Sequence, residues 1–330
     1  MIPSDAPGRN CPLHYRYRPS DFAVPASACC EVLYVVGGLY GNVQALHRVI
    51  DLFEHEHGDK RLVFNGDFHW FDIATQAFTQ IQRGVLAFEA TSGNVETELA
   101  APTTRDLEDT GCGCAYPDWV GDAVVERSNR ILMTLRDTAR ALPNACPELS
   151  MLPMWRRIDV GERRVAIVHG DAQSLSGWGF AQETLHERAQ QQTALQWFEQ
   201  AQVDLFACSH TCLPVFQSLD AGKPATPFTP LVLNNGAAGM PNLAGAHEGL
   251  LTRIATRPFV GPQRRFGLRR GGLYLDAIAI DYDDAAWQRS FLAQWPAGSD
   301  AYASYWSRIS AGTDHTFDDS LRVELTSIEV

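Results

Sequence analysis

An α/β fold with parallel neighbours in its sheet is what this chain predicts, and three observations carry it. Short valine- and leucine-rich runs alternate with segments whose apolar residues recur at helical spacing. Most of these runs end in a polar loop, often one that carries glycine. At 45% apolar and 20% charged over 330 residues, the composition is that of a globular chain able to bury a large core. No run approaches the ~20 apolar residues of a membrane span, so no membrane partner is expected.

The first 30 residues, with Pro3, Pro7, Pro12, Pro19 and Pro25, read as an irregular arm lacking a signal peptide's apolar stretch; a cytoplasmic location follows. Residues 31–36 form the first strand, and 37–41 break it. Asn42 then caps a helix whose Leu46, Val49, Ile50 and Phe53 share a face. A strand over 61–64 ends in Asn65-Gly66-Asp67. A helix from about 72 to 82 and a third strand over 85–88 lead to Ser92-Gly93-Asn94.

Residues 97–150 leave this rhythm and read as an insertion packed over the sheet. It holds Cys112 and Cys114 and a helix with Val124, Ile131, Leu132, Leu135 and Leu142 on one stripe. Strands resume at 157–160 and 165–168, before His169-Gly170-Asp171. A helix over about 181–200 and a strand over 203–207 precede Cys208-Ser209-His210-Thr211-Cys212. The last third adds strands near 215–219, 231–233, 250–254 and 273–280. A helix after Asp283-Asp284 carries Trp287 and Phe291, the domain closes near 312, and 313–330 is a tail.

Charge and cysteine usage narrow the chemistry. A net charge of −12, from 27 basic and 39 acidic side chains, argues against an extended nucleic-acid surface. It leaves room for a small anionic substrate, since a bound metal supplies positive charge locally. Eight cysteines are too sparse for a disulfide framework and read as thiols.

Asp67, Asn94, His169 and His210 each follow a strand, and in open α/β sheets such loops gather at one edge. A carboxylate, an amide carbonyl and two imidazoles suit manganese, iron or zinc more than calcium or magnesium.

Five blocks now fall in order: Gly38-Leu39-Tyr40-Gly41-Asn42, Gly66-Asp67, Gly93-Asn94-Val95-Glu96, His169-Gly170 and Ser209-His210-Thr211-Cys212. They resemble the D-x-H-G-N, G-D, G-N-H, strand-His and G-H-x-H blocks of calcineurin-like metallophosphoesterases. Leu152-Pro153, the 234–241 stretch Asn-Asn-Gly-Ala-Ala-Gly-Met-Pro and Asp281-Tyr282-Asp283 resemble that superfamily's bacterial phosphodiesterase-like branch. The resemblance spans about 31–312. It implies a β-sandwich of mixed sheets flanked by helices, and a phosphatase or phosphodiesterase in which a metal-bound water attacks phosphorus.

The departures are as informative. The family holds one metal at the positions of Gly38, Tyr40, Cys212 and Asp67, and here two strong ligands are gone and one is a thiol. The other metal site, Asp67, Asn94, His169 and His210, is complete. The family's proton donor is Val95, which cannot protonate a leaving group. His69 is the nearest replacement acid, or else a rim filler beside Phe68, Trp70 and Phe71. Tyr40 and Cys212 are either ligands of a changed first site or neutral fillers; Gly38 and the cost of ionising tyrosine favour fillers and one metal per chain. The expectation is a metal-dependent phosphoric ester hydrolase acting on a small phosphorylated substrate. The alternatives are a catalytically silent relative that binds a phosphorylated ligand or protein, and a thiol module built on Cys112, Cys114, Cys208 and Cys212.

Overall fold

Every residue of β2 (Val32–Val36) is buried, because the strand serves two cores at once. Val32, Tyr34 and Val36 enter one core, and Leu33 and Val35 enter the other. The same alternation in β3 (Lys60–Asn65), β6 (Arg163–Val168) and β7 (Leu205–Cys208) explains why they read as unbroken apolar runs. The computed structural model describes residues 6–102, 110–219 and 228–323.

Two mixed sheets result. One has the order β11 (Arg264–Arg270), β12 (Leu273–Ile280), β10 (Gly249–Ala255), β2, β3 and β4 (Glu89–Thr91). The other runs β1 (Ala28–Cys30), β5 (Trp155–Val160), β6, β7, β9 (Leu231–Asn235), β8 (Pro214–Ser218) and β13 (Leu321–Arg322). Leu33, Val63, Ile167 and Leu205 share the core between them. Helices α1 (Val43–Glu54) and α2 (Thr75–Leu86) pack on the outer face of the first sheet, and α6 (Arg188–Ala201) on that of the second. This is the expected sandwich of mixed sheets flanked by helices. β2, β3 and β4 run parallel, as do β6, β7 and β9, so Asp67, Asn94, His169 and His210 follow the carboxyl ends of parallel strands.

Several boundaries differ from expectation. Helix α2 continues to Leu86 to bury Val85, so the third strand begins at Glu89 and not at 85. The helix expected from 181 starts at Arg188, after a short 3-10 turn over Thr184–His186 that buries Leu185. The N-terminal arm is irregular but tied down: Tyr15 and Phe22 are fully buried, and β1 pairs with β5.

In the insertion, α4 (Asp122–Arg140) buries Val125, Ile131, Leu132 and Leu135; Val124 faces the cleft described below, and Leu142 lies past the helix end. A short α5 (Ala145–Ser150) follows, while part of the insertion, 103–109, lies outside the described residues. After α7 (Asp284–Gln294) comes a helix that the sequence did not announce, α8 (Asp300–Ala311). The expected tail holds α9 (Phe317–Ser320) and pairs β13 with β8, with 324–330 outside the described residues. Among the described residues no helix is long and apolar enough to cross a membrane.

Candidate metal centre

The loop after β3 turns through Gly66 (φ +72°) and Asp67 (φ +51°). A Cβ on Gly66 would sit 2.5 Å from the Gly93 backbone, so glycine is what lets the β3 and β4 loops touch. Glu96, in α3 (Asn94–Ala100), fixes that contact. Its buried carboxylate accepts the N–H groups of Asp67 at 2.7 Å, Gly93 at 2.9 Å and Phe68 at 3.1 Å. Burial and then the charge of Asp67 push this carboxyl up, while the amides pull it down. Glu96→Gln puts an amide N–H against those donors and is expected to cost about 1.5–3 kcal/mol of stability. Denaturant unfolding reads it; a change below ~0.5 kcal/mol would mean the clamp is dispensable.

The two histidines are fixed from behind. His169 Nδ1 faces the Asn65 carbonyl at 2.9 Å, and His210 Nε2 faces the Cys114 carbonyl at 3.1 Å. Carbonyls only accept, so these two nitrogens carry the hydrogens. The opposite nitrogens, His169 Nε2 and His210 Nδ1, are lone-pair atoms 3.1 Å apart. Asn94 donates its amide to the Cys112 carbonyl at 3.0 Å, which turns Oδ1 to within 3.2 Å of His169 Nε2; Asp67 Oδ2 is 3.3 Å from the same nitrogen.

Four acceptor atoms thus converge on one point, an arrangement that a cation among them would relieve. A proton on His169 is a partial answer: burial disfavours it, but Asp67 outweighs burial and raises that imidazole. Burial, with His169 alongside, pushes His210 down to about 4, which keeps it neutral. A proton cannot serve both nitrogens and both oxygens, whereas a metal ion of mixed O/N preference can. The ligand atoms of Asp67, His169 and His210 lie within 4.8 Å of one another, and this is the one such group found among the described residues.

The other expected site residues divide. Tyr40 and Cys212 do reach the cleft, where they bond each other at 2.7 Å while the thiol donates to the His210 carbonyl at 3.3 Å. Burial raises both the phenol and the thiol, so both stay neutral. A Cβ on Gly38 would come within 2.5 Å of the Tyr40 ring, so the ring fills the space that a side chain at position 38 would need. Val95 also lines the cleft, at 2% exposure.

His69 does not line it, which corrects the expectation of a replacement acid. It is fully buried, held to Asp72 at 2.6 Å and stacked 3.7 Å over Phe78, because the chain turns it into the core behind the loop. Of the four cysteines of the thiol-module alternative, Cys208 is buried in the outer core of the second sheet, Cys114 and Cys212 line the cleft, and none belongs to the Asp67, His169 and His210 group.

The cleft has a volume of about 220 Å³. Trp70, Tyr116, Trp178 and Tyr305 form much of its wall, and Trp178 also donates to the Cys114 carbonyl at 2.9 Å. Glu96 and Arg308 also belong to this site, outside the residues expected from the sequence. Glu96 stands three residues after Gly93, the spacing of a capping box, and that signal was available. Arg308, on α8, had no local signal.

No family model matches the sequence, and no curated protein matches it. Among solved structures, a metallophosphoesterase from Sphaerobacter thermophilus is similar with a TM-score of 0.52 at 15% identity, covering 86% of this chain and 100% of that one. A hypothetical protein from Pyrococcus horikoshii OT3 is similar with a TM-score of 0.54 at 13% identity, over 86% of this chain and 99% of that one. Such identities speak to architecture alone. The two-sheet sandwich with its polar loops at the parallel strand ends is the metallophosphoesterase fold.

Proposed function

We propose that the chain is a metal-dependent hydrolase of phosphoric esters, with one divalent transition metal (manganese, iron or zinc) held by Asp67, Asn94, His169 and His210. The observation that carries this reading is the convergence of four acceptor atoms whose side chains are oriented by hydrogen bonds made elsewhere. When bound, the metal supplies Lewis acidity and a lowered pKa for water, from ~15.7 towards 7.

The chain's own residues do the rest. Asp67 contributes the anionic charge that holds the cation, and the aromatic walls exclude bulk water. A cleft of about 220 Å³ supports a phosphoryl group carrying a small organic part, and not a nucleic-acid duplex. In the reaction a water oxygen bonds to phosphorus and the ester P–O bond breaks. The leaving oxygen departs with the electron pair and must be protonated. Val95 has no proton to give, so esters of acidic alcohols such as phenols should react fastest.

Hydrolysis of bis(p-nitrophenyl) phosphate is expected to vanish on treatment with a chelator and to return on adding manganese. Turnover that ignores chelation would sink the reading. A second reading, a silent relative that only binds, is favoured by the Tyr40 ring in the first site and by Val95. Retained metal and phosphate binding with no hydrolysis of any aryl ester would support it.

A further inference from the structure

We propose that Arg308 is the receptor for a substrate phosphoryl oxygen and takes over the anion-binding task of the cation that the filled first site cannot hold. The inference deepens the hydrolase reading and rests on it for the identity of the ligand, an oxyanion of phosphorus.

The geometry is specific. Arg308 comes from α8 and reaches the cleft that Tyr40, Asp67, His210 and Cys212 line. Its guanidinium is held by neutral acceptors. Nε donates to the Pro241 carbonyl at 2.8 Å, and Nη2 donates to the Cys212 carbonyl at 2.8 Å and to Asn242 Oδ1 at 3.3 Å. Among the described residues no carboxylate pairs with it, and Nη1 has no hydrogen-bond partner. An arginine fixed in place yet not neutralised is what an oxyanion needs, because the planar fork offers charge and directed N–H groups together.

The charges of the cleft point the same way. In a chain of net charge −12, the formal charges lining the cleft among the described residues are Asp67 and Arg308. One divalent cation at Asp67 and the guanidinium of Arg308 give the phosphoryl group two positive partners, the number that a two-metal site supplies. The Cys212 carbonyl that orients Arg308 belongs to the residue whose thiol bonds Tyr40, so the filled site and the arginine meet at one residue.

The test is calorimetric titration of inorganic phosphate into manganese-loaded wild type and into Arg308→Gln and Arg308→Lys, with metal content measured by elemental analysis and folding by thermal melting. Arg308→Gln should weaken phosphate binding by about ten- to a hundredfold at unchanged metal content. Arg308→Lys, which keeps the charge but loses the fork, should weaken it severalfold, and it decides the matter if Arg308→Gln does not fold. Metal retained with phosphate affinity within twofold of wild type in the folded variants overturns the assignment and leaves Arg308 a clamp on Pro241 and Cys212. Absence of metal from every form, with phosphate binding still weakened by the substitutions, overturns the hydrolase reading and keeps Arg308. Absence of metal together with unchanged phosphate binding overturns both.

Discussion

One transition-metal ion per chain is the expected content of the purified protein, and His169→Ala or His210→Ala should lower its affinity by at least ~100-fold. Loss of a partner that merely orients a ligand already costs ~10–100-fold, and these substitutions remove a ligand atom itself. Tyr40→Phe and Cys212→Ala should leave the content at one. The reason is steric and electrostatic together: the Tyr40 ring fills the space that a side chain at 38 would need, and burial keeps the phenol and thiol neutral. Elemental analysis on all four variants reads both statements. Two ions per chain with one lost on Tyr40→Phe would reverse the account of the first site. Full metal in both histidine variants would remove the centre altogether.

Val95→His should accelerate hydrolysis, and by an amount that depends on the leaving group. A positioned acid contributes ~10²–10⁴-fold when the departing oxygen is basic. Methyl or other alkyl esters should therefore gain on that scale, whereas a p-nitrophenyl ester, whose leaving group is stable without a proton, should gain little. The side chain at 95 borders the open cleft, which gives an imidazole somewhere to go. Rates for a series of esters, plotted against leaving-group pKa, should be steep for wild type and flatter for Val95→His. Equal slopes would mean that proton transfer is not what the present site lacks. Metal content must be measured alongside, because a new imidazole beside Asp67 is itself a potential ligand.

Much of this was legible in the sequence because the site sits on the most regular part of the fold. Asp67, His169 and His210 each follow a strand buried in the sandwich, and such strands announce themselves as apolar runs, whereas Asn94 follows the three-residue edge strand β4, whose Glu-Ala-Thr carries no such signal. Asn42 was readable as a cap for a similar reason, and its side chain does accept the Ala45 N–H. What stayed hidden depends on contacts between distant segments. β11 is a half-exposed edge strand with arginines at 264, 265, 269 and 270, a composition that masks strand character while protecting an edge. Arg308 meets Cys212 across 96 positions, and no local pattern encodes that meeting. His69 was attractive only because it is near Asp67 in sequence, yet the turn through Asp67 carries it away from the cleft.

The packing of Gly38 against Tyr40 makes the present site hard to undo one step at a time. With φ +68° and a phenol ring 2.5 Å from any added Cβ, a side chain at position 38 would be strained and would have to push the Tyr40 ring aside. Replacing Tyr40 alone opens a void beside Asp67 without restoring the carboxylate. The two positions are in contact, so the effect of a change at one depends on what stands at the other. Any redesign of the cleft is therefore easier from the side that α8 brings over it than from the loop that joins Gly38 to Tyr40.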